Sequence, residues 1–330
     1  MKYNFPIINT LRGMAALSVC LFHFVCSTYI TDETLNYVFD FGKKGVQVFF
    51  VISGIVIPLS MISFNYTYRM IFQFIKIRFV RIEPPYLIAV VLGIIYLNVR
   101  NYVPTSSNVD VSPSLKDIIL HLGYLIPFFE GSQWISRVFW TLSIEFQYYL
   151  FLALTLPLFL HKKNILNHAF ISLLLILPFL NDRFHLFPFW SSYFGLGIVY
   201  AFFITKRIRI FYFFAYSILL SIVVVYNQGV LDFVIAVSTL LLIHFFRGYN
   251  PKIGNWFGKI SYSLYLTHAL VGLSFINLMS SRITSDLGKF IVELIALIIT
   301  IVFAFFFWKY IEKPSQVWSK KLKINIKSEN

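Results

Sequence analysis

The sequence predicts an all-α, polytopic membrane protein with about ten transmembrane helices. Hydrophobic residues occupy 58% of the 330 positions and charged residues only 13%, and the mean hydropathy of +0.75 excludes an ordinary soluble domain. Because apolar runs recur from end to end, we expect one transmembrane domain over residues 1–318. A basic, mobile cytoplasmic tail is expected over residues 319–330.

The apolar runs divide into ten predicted spans, which are separated by polar or basic connections. A helix needs about 20 apolar residues to cross the hydrocarbon core, so the stretch at 118–130 is too short to cross by itself. We expect that stretch to be a re-entrant or interfacial segment on the outer side. The predicted spans are 8–29, 45–63, 84–100, 139–160, 165–180, 188–205, 210–227, 229–246, 260–279 and 289–311.

The distribution of charge predicts the orientation of these spans. With the N-terminus inside, the inner connections and the tail carry twenty of the 28 Lys and Arg residues, and the outer connections carry eight. Such a bias favours an N-in, C-in protein with an even number of crossings. The net charge of +14 then indicates contact with anionic membrane lipid, and we expect no nucleic-acid partner. The Ile-, Phe-, Asn- and Lys-rich composition correlates with AT-rich bacterial genomes. The expected location of the protein is the bacterial cytoplasmic (inner) membrane.

A charged residue and a titratable residue, Arg12 and His23, lie in the first predicted span. Groups of this kind are expensive in hydrocarbon and are functional candidates by default. Their separation of eleven positions places both side chains on one helix face, about 16 Å apart along the axis. That face can hold an anion near the inner surface and a proton acceptor deeper in the membrane.

The predicted topology places Glu145 at a depth comparable to that of His23. A carboxylate beside a histidine fixes the tautomer of the imidazole and stabilises its protonated form, which suits a general base. We therefore predict that His23 and Glu145 form a catalytic pair. Each residue taken alone has an alternative interpretation as a polar contact between helices.

A pair of arginines, Arg78 and Arg81, lies just before Pro84 and Pro85, which are expected to open the third span. Residues at i and i+3 face the same way on a helix, and paired guanidinium groups bind phosphates. Together with Arg12, which has the same predicted level, they form a candidate phosphate site. Ordinary contact with lipid headgroups is the alternative.

Two spans are more polar than a lipid-facing helix tolerates. The first contains Trp140, Ser143, Glu145 and Tyr148, and it should face a protein interior or an aqueous cavity. In the ninth span, a stripe of hydrogen-bonding groups at i, i+4 and i+7 is expected to point inward, and interhelical hydrogen bonding explains it as well as catalysis does. The stripe is Ser261, Tyr265 and His268. Substrate-binding or supporting roles are predicted for Ser53, Trp140, Ser143, Tyr148, Tyr265 and His268.

These segments, in this order, resemble the acyltransferase-3 family of integral membrane acyltransferases, which includes O-antigen and exopolysaccharide O-acetylases. The resemblance covers nearly the whole chain, over residues 9–314. Its motifs are Asn9-Thr-Leu-Arg12 with His23, Gly45-Val to Ser53-Gly54, Arg78 to Tyr86, Trp140 to Tyr148, Ile260 to His268, and Tyr310-Ile-Glu312-Lys-Pro314.

The resemblance implies an acyl-CoA donor, usually acetyl-CoA, which is used from the cytoplasmic side. It also implies a saccharide acceptor, in some cases lipid-linked, whose hydroxyl is acylated at the outer side. Family members often carry an acidic residue where Asn9 and Gln47 stand here. We expect no metal, because thioester chemistry needs none.

The resulting hypothesis is transmembrane O-acyl transfer, with His23 as general base and Glu145 holding its imidazole. Arg12, Arg78 and Arg81 are expected to bind the phosphates of CoA. A transporter or flippase of a glycan or small anion is the alternative, since it also needs intramembrane charges, although it would more often have inverted repeats. The sequence leaves open the acceptor sugar, the acyl group and the oligomeric state.

Overall fold

The computed structural model describes residues 5–26, 32–100, 113–159, 164–279 and 282–328. Within these ranges all regular structure is helical, and no strand is present. The α-helices are α1 (Ile7–Val25), α2 (Glu33–Asp40), α3 (Gly45–Ser63), α4 (Ile71–Arg100), α5 (Leu115–Leu122), α6 (Trp140–Phe159), α7 (Asn164–Leu180), α8 (Phe187–Ile204), α9 (Ile210–Gln228), α10 (Val230–Phe245), α11 (Lys252–His268), α12 (Ser274–Met279), α13 (Asp286–Phe307) and α14 (Lys313–Ser328).

Helices that could cross a bilayer run through the whole described part of the chain. Eight helical segments there are long and apolar enough to do so, and two shorter apolar helices, Ile165–Leu180 and Val230–Phe245, match two further predicted spans. The all-α, polytopic fold is therefore confirmed, while the number of crossings and the N-in, C-in orientation stay predictions. The eight segments are Ile7–Val25, Glu33–Ser63, Tyr68–Arg100, Arg137–Phe159, Phe187–Ile204, Ile210–Gln228, Lys252–Met279 and Asp286–Leu322.

The predicted start of the third span was wrong. Helix α4 begins at Ile71 and passes through Pro84 and Pro85 without ending. Each proline removes one backbone donor, but in a transmembrane helix neighbouring groups can satisfy backbone carbonyls near the break. Close to the two prolines, the hydroxyl of Tyr262 donates to the carbonyl of Ile82 at 3.0 Å and holds α11 against α4.

Other boundaries also differ from the predicted ones. The ninth span begins earlier, at Lys252, and the last helical segment continues from Asp286 through α14. Residues 319–328, predicted as a tail, are thus part of a helix. Residues 27–29 and 160, where two predicted spans end, lie outside the described residues, as do residues 329–330.

The stretch predicted to be too short to cross is short in the structure as well. It forms α5, of eight residues, followed by 3₁₀ turns at Ile126–Phe128 and Arg137–Phe139. We call residues 113–139 the α5 segment. Eight helical residues span about 12 Å, less than half of the hydrocarbon core, so α5 is too short to cross by itself. The re-entrant or interfacial placement on the outer side stays a prediction.

The helices pack as two units. Unit 1 comprises Met1–Arg12, Lys44–Ile75 and Ser143–Gly258, and unit 2 comprises Gly13–Lys43, Lys76–Leu142 and Lys259–Asn330. In unit 1, α8 packs against α3, α7 and α9 and is buried along most of its length, as expected of a helix that is apolar all round.

Two glycines allow α3 and α8 to approach closely in unit 1. A Cβ atom at Gly54 would overlap the backbone of Phe194, and one at Gly197 would overlap the carbonyl oxygen of Val51. Small residues at such crossings are the usual means by which transmembrane helices bring their backbones together.

A buried carboxylate also joins helices of unit 1. Asp232 is 1% exposed and forms an ion pair with Lys44, while Gln47 and Tyr193 donate to its Oδ1 at 2.8 and 2.9 Å. Both carboxylate oxygens are therefore satisfied, which offsets the cost of placing a charge away from water. This network, which we call the Asp232 cluster, connects α10 with α3 and α8.

Asp232→Ala should strongly destabilise the protein, because removing one partner of a buried ion pair costs about 3–5 kcal/mol. The measurement is the thermal unfolding temperature of the detergent-solubilised full chain. The matched control is Asp40→Ala, which removes an exposed pair with Lys43 at 2.6 Å and should cost only about 0–1 kcal/mol. Equal shifts for both variants would contradict a structural role of the Asp232 cluster.

Candidate active site

Helix α1 is uninterrupted from Ile7 to Val25, so it fixes the relative directions of Arg12 and His23. Met14 is 60% exposed and marks the outer face of this helix. At about 100° per residue, both Arg12 and His23 point about 160–180° away from Met14. The two half-buried side chains therefore share the inward face of α1, as the sequence predicts.

A second histidine of unit 2 lies beside His23. The ring centroids of His23 and His268 are 5.2 Å apart, and His268 is completely buried at the end of α11. Its Nδ1 lies 2.8 Å from the carbonyl oxygen of Tyr265 and 3.2 Å from that of Leu264. Carbonyl oxygens only accept hydrogen bonds, so Nδ1 carries the proton and Nε2 has the lone pair. This Nε2 is buried and has no hydrogen-bond partner among the described residues.

The predicted stripe on α11 is buried in unit 2. Ser261, Tyr265 and His268 are 1%, 7% and 0% exposed, which confirms that they point inward. The hydroxyl of Tyr265 donates to the carbonyl of Val138 at 3.2 Å and accepts from Thr141 at 2.8 Å. These bonds hold α11 against the start of α6, where Trp140 is half-buried.

Glu145 lies in a polar network of unit 1. Its Oε1 accepts hydrogen bonds from the hydroxyl of Tyr149 and, at 3.3 Å, from that of Ser53. The hydroxyl of Tyr148 donates to the carbonyl of Ser53 at 3.5 Å, and Ser143 is completely buried one turn before Gln147, whose amide donates to it at 3.2 Å. The structure thus brings Ser53, Glu145 and Tyr148 together. His23 belongs to unit 2, and its pairing with Glu145 stays a prediction.

Arg78 and Arg81 lie one turn apart in the unit 2 part of α4. Arg78 is 6% exposed and Arg81 is half-buried, while Phe79 is 46% exposed and lies about 100° from Arg78 and about 160° from Arg81 around the helix. The hydroxyl of Ser319 donates to the carbonyl of Ile77 at 3.0 Å and attaches α14 to this turn. The arginine pair therefore lies on the less exposed side of α4, and its role as a phosphate site stays a prediction.

Buried carboxylates are the polar groups that the sequence interpretation left without a role. Glu83 is 2% exposed and accepts from Tyr124 at 2.7 Å, and Glu312 is 4% exposed and accepts from the hydroxyl of Ser263 at 2.6 Å. Glu293 is also buried, and its Oε1 has no hydrogen-bond partner among the described residues. A carboxylate inside an apolar span is itself a signal, so the sequence could have identified Glu293 within the predicted span 289–311. Glu83 and Glu312 each lie one residue outside a predicted span and carry no such signal.

The α5 segment contains His121, a histidine for which the sequence predicts no role. It is completely buried, its Nδ1 lies 2.7 Å from the carbonyl oxygen of Asp117, and its Nε2 accepts from the backbone N–H of Ile135 at 3.1 Å. Both nitrogens are thus used by the neutral ring, and burial lowers the pKa of His121 below its ordinary value of 6.5. This histidine fixes the backbone that leads into Val138 and α6.

Residues 5–309 match the family whose description is "Acyltransferase domain", the acyltransferase-3 family. The chain belongs to this family. It is also 26% identical over 302 residues to a protein of Acidianus two-tailed virus named "Putative acetyltransferase", covering 82% of this chain and 84% of the relative. No solved structure matches the chain.

Family membership identifies the protein as a multi-pass membrane acyltransferase. Neither comparison supports the transporter alternative. The bacterial cytoplasmic membrane stays a prediction of the sequence. Within the described ranges, no group of three or more His, Cys, Asp or Glu side chains is placed to hold a metal ion.

The α5 segment should lose local stability as the pH falls. Because the folded pKa of His121 lies below 6.5, the stability from its neutral ring is complete above about pH 6.5 and is lost as the pH falls toward the folded value. Hydrogen exchange at the Ile135 amide measures this, since protonation of Nε2 removes its acceptor. Its protection factor should fall as the pH is lowered below about 6.5, while the protection factors of α8 amides serve as the internal control. A constant ratio between the two would contradict the assignment.

Proposed function

We propose that the protein transfers an acyl group, most simply acetyl, from cytoplasmic acyl-CoA to a hydroxyl of a cell-surface or lipid-linked saccharide. The observation that carries the proposal is the His23–His268 pair of unit 2, whose ring centroids are 5.2 Å apart. A titratable imidazole is energetically unfavourable inside a membrane span, so its presence there indicates a function. In an acyltransferase, that function can be to deprotonate the acceptor hydroxyl.

His23 is the proposed general base. It takes the proton of the sugar hydroxyl as the oxygen attacks the thioester carbonyl, and the C–S bond then breaks to release CoA. An acyl-enzyme intermediate would divide this reaction into two transfers. The lone pair on Nε2 of His268 supports the proposal, because it supplies a second acceptor for a proton or a substrate hydroxyl.

The proposed contacts with acyl-CoA begin at the arginines. Arg78 and Arg81 present two guanidinium groups from one face of α4, which suits bidentate phosphate binding. Arg12 is the third predicted ligand, and its distance of about 16 Å from His23 along α1 is one that an extended pantetheine arm can bridge. The donor is therefore proposed to enter at the level of Arg12 and to reach the base with its thioester.

Glu145 remains the predicted carboxylate that orients the His23 imidazole. Its two hydroxyl donors, Tyr149 and Ser53, would hold the carboxylate in a fixed position. Glu145→Gln preserves the shape of the side chain and removes the charge. An unchanged pH dependence of acyl transfer in this variant would contradict the pairing.

His23→Ala should abolish acyl transfer, because the reacting hydroxyl would lose its proton acceptor. The assay measures how much radiolabelled acetyl group passes from acetyl-CoA to glycan in isolated membranes. These membranes must contain the variant at the same abundance as the wild type. His244→Ala is the matched control, since His244 is an exposed histidine of α10 and should keep wild-type activity. Full activity of His23→Ala would remove it as the base, and loss in both variants would point to instability.

Arg78→Ala and Arg81→Ala should each raise the KM for acyl-CoA about 10-fold or more with a smaller effect on kcat. A charged hydrogen bond contributes roughly 1.5–3 kcal/mol, and the arginines are proposed to bind the donor without touching the thioester. Arg69→Ala is the control, because Arg69 is exposed at the turn before α4. Unchanged KM values for both variants would remove the phosphate site from α4.

A further inference from the structure

A cavity of about 530 Å³ opens at the connection between α8 and α9, and its whole lining lies in unit 1. Small-molecule sites commonly have volumes of about 300–1,000 Å³. Three of its seven lining residues, Lys206, Arg207 and Arg209, are cations, and none of the seven is acidic. The cavity is therefore built for an anion, and the acyltransferase motifs contribute none of its residues.

The backbone that presents these cations is fixed. Lys206 has a left-handed φ of 59°, and its N–H donates to the carbonyl of Phe203 at 3.0 Å, while that of Arg207 donates to Phe202 at 2.8 Å. Such a turn closes the end of α8 in a defined geometry. Ile208 is 6% exposed and anchors the connection. A left-handed conformation of a residue other than glycine is uncommon, and it persists where the surroundings determine it.

The opposite wall comes from α7 and α9. The ring of His168 lies 4.4 Å from that of Tyr212, and its Nδ1 lies 3.1 Å from the hydroxyl of Tyr216. On the α7 side, the amide of Asn167 donates to the carbonyl of Arg207 at 3.5 Å. Burial lowers the pKa of Arg207, because this side chain is partly withdrawn from water at the wall of the cavity.

The position of the cavity limits what the anion can be. Residues 205–209 lie between two candidate spans, Phe187–Ile204 and Ile210–Gln228, and thus at the bilayer surface, where lipid phosphates lie. Arginine and lysine side chains recognise phosphate oxygens by charged hydrogen bonds. We propose that this cavity binds a phosphate group, carried either by the headgroup of an anionic lipid or by a soluble phosphate ester.

Native mass spectrometry of the full chain tests the lipid source, with phosphatidylglycerol and phosphatidylcholine as probes. The wild type should bind phosphatidylglycerol more tightly than phosphatidylcholine. The double variant Lys206→Asn, Arg209→Gln should bind phosphatidylglycerol about 10-fold more weakly or worse, because each surface cation contributes roughly 1 kcal/mol. Asparagine suits the left-handed conformation, so the turn should survive. Lys252→Asn with Arg69→Gln removes the same charges from exposed positions elsewhere and should have no such effect.

Inorganic phosphate and adenosine 3′,5′-bisphosphate test the soluble source in the same variants. Either probe should bind the wild type at millimolar concentration or displace phosphatidylglycerol from it. Loss of this effect in the double variant Lys206→Asn, Arg209→Gln would support the phosphate site and identify a soluble ligand. Lys206→Arg with Arg209→Lys keeps both charges and should restore binding. Equal losses in cavity and control variants would overturn the proposal in favour of general surface charge. Absence of binding of every probe to the folded wild type would overturn it as well.

Discussion

The structure depends on one constraint: inside hydrocarbon no water is at hand, so each polar group must find its partner within the chain. Asp232 has three donors, and Glu312 accepts from Ser263 and Gln316. These satisfied carboxylates tie helices together and leave each unit with a fixed frame. The buried Nε2 of His268 and Oε1 of Glu293 are two of several buried polar atoms that have no hydrogen-bond partner among the described residues. An unsatisfied buried group in a native protein calls for an explanation such as a ligand or a proton.

The buried polar residues of unit 2 fall into two groups, those with a hydrogen-bond donor or acceptor in the described part of the chain and those without one. Glu83 and Glu312 each have a hydroxyl donor and can stay unchanged through a catalytic cycle. The buried Nε2 of His268, next to His23, has no hydrogen-bond partner among the described residues. A buried polar group without a partner lowers the stability of the folded protein. The same group can form a hydrogen bond with a ligand in a fixed geometry, so a preorganised site is often gained at the expense of stability.

The sequence predicted the fold wherever hydrophobic length alone decides the structure. It placed α3 at the residues observed, because a charged turn precedes the apolar run and a polar turn follows it. It failed at Pro84 because the rule that prolines begin helices comes from water-exposed helices, whereas here the membrane enforces helical hydrogen bonding on both sides of the break. The helical continuation after Glu312 was also missed, since a polar composition such as that of α14 carries no apolar signal.

The residues of the candidate site could be predicted in part. Which side chains share a face of one helix could be predicted, because each residue advances a helix by a fixed angle. This applies to Arg12 with His23, and to Ser261 with Tyr265 and His268. Relations between helices could not, because proximity of His23 to His268 depends on packing across 245 positions of chain, for which a single sequence has no signal. Nor could the partner of Gln47 be foreseen, since Asp232 belongs to another helix.

Directly after His268 the helix widens into a π turn over Ala269–Leu273. A π turn accommodates one residue more than an α turn does, so everything beyond it is rotated by about 100° relative to a regular helix. A helical wheel drawn through Lys252–Met279 would therefore assign Ser274 and Ile276 to the wrong sides. The orientation of the first half of the span, which ends at His268, is therefore independent of the orientation of the second half, which packs against α13.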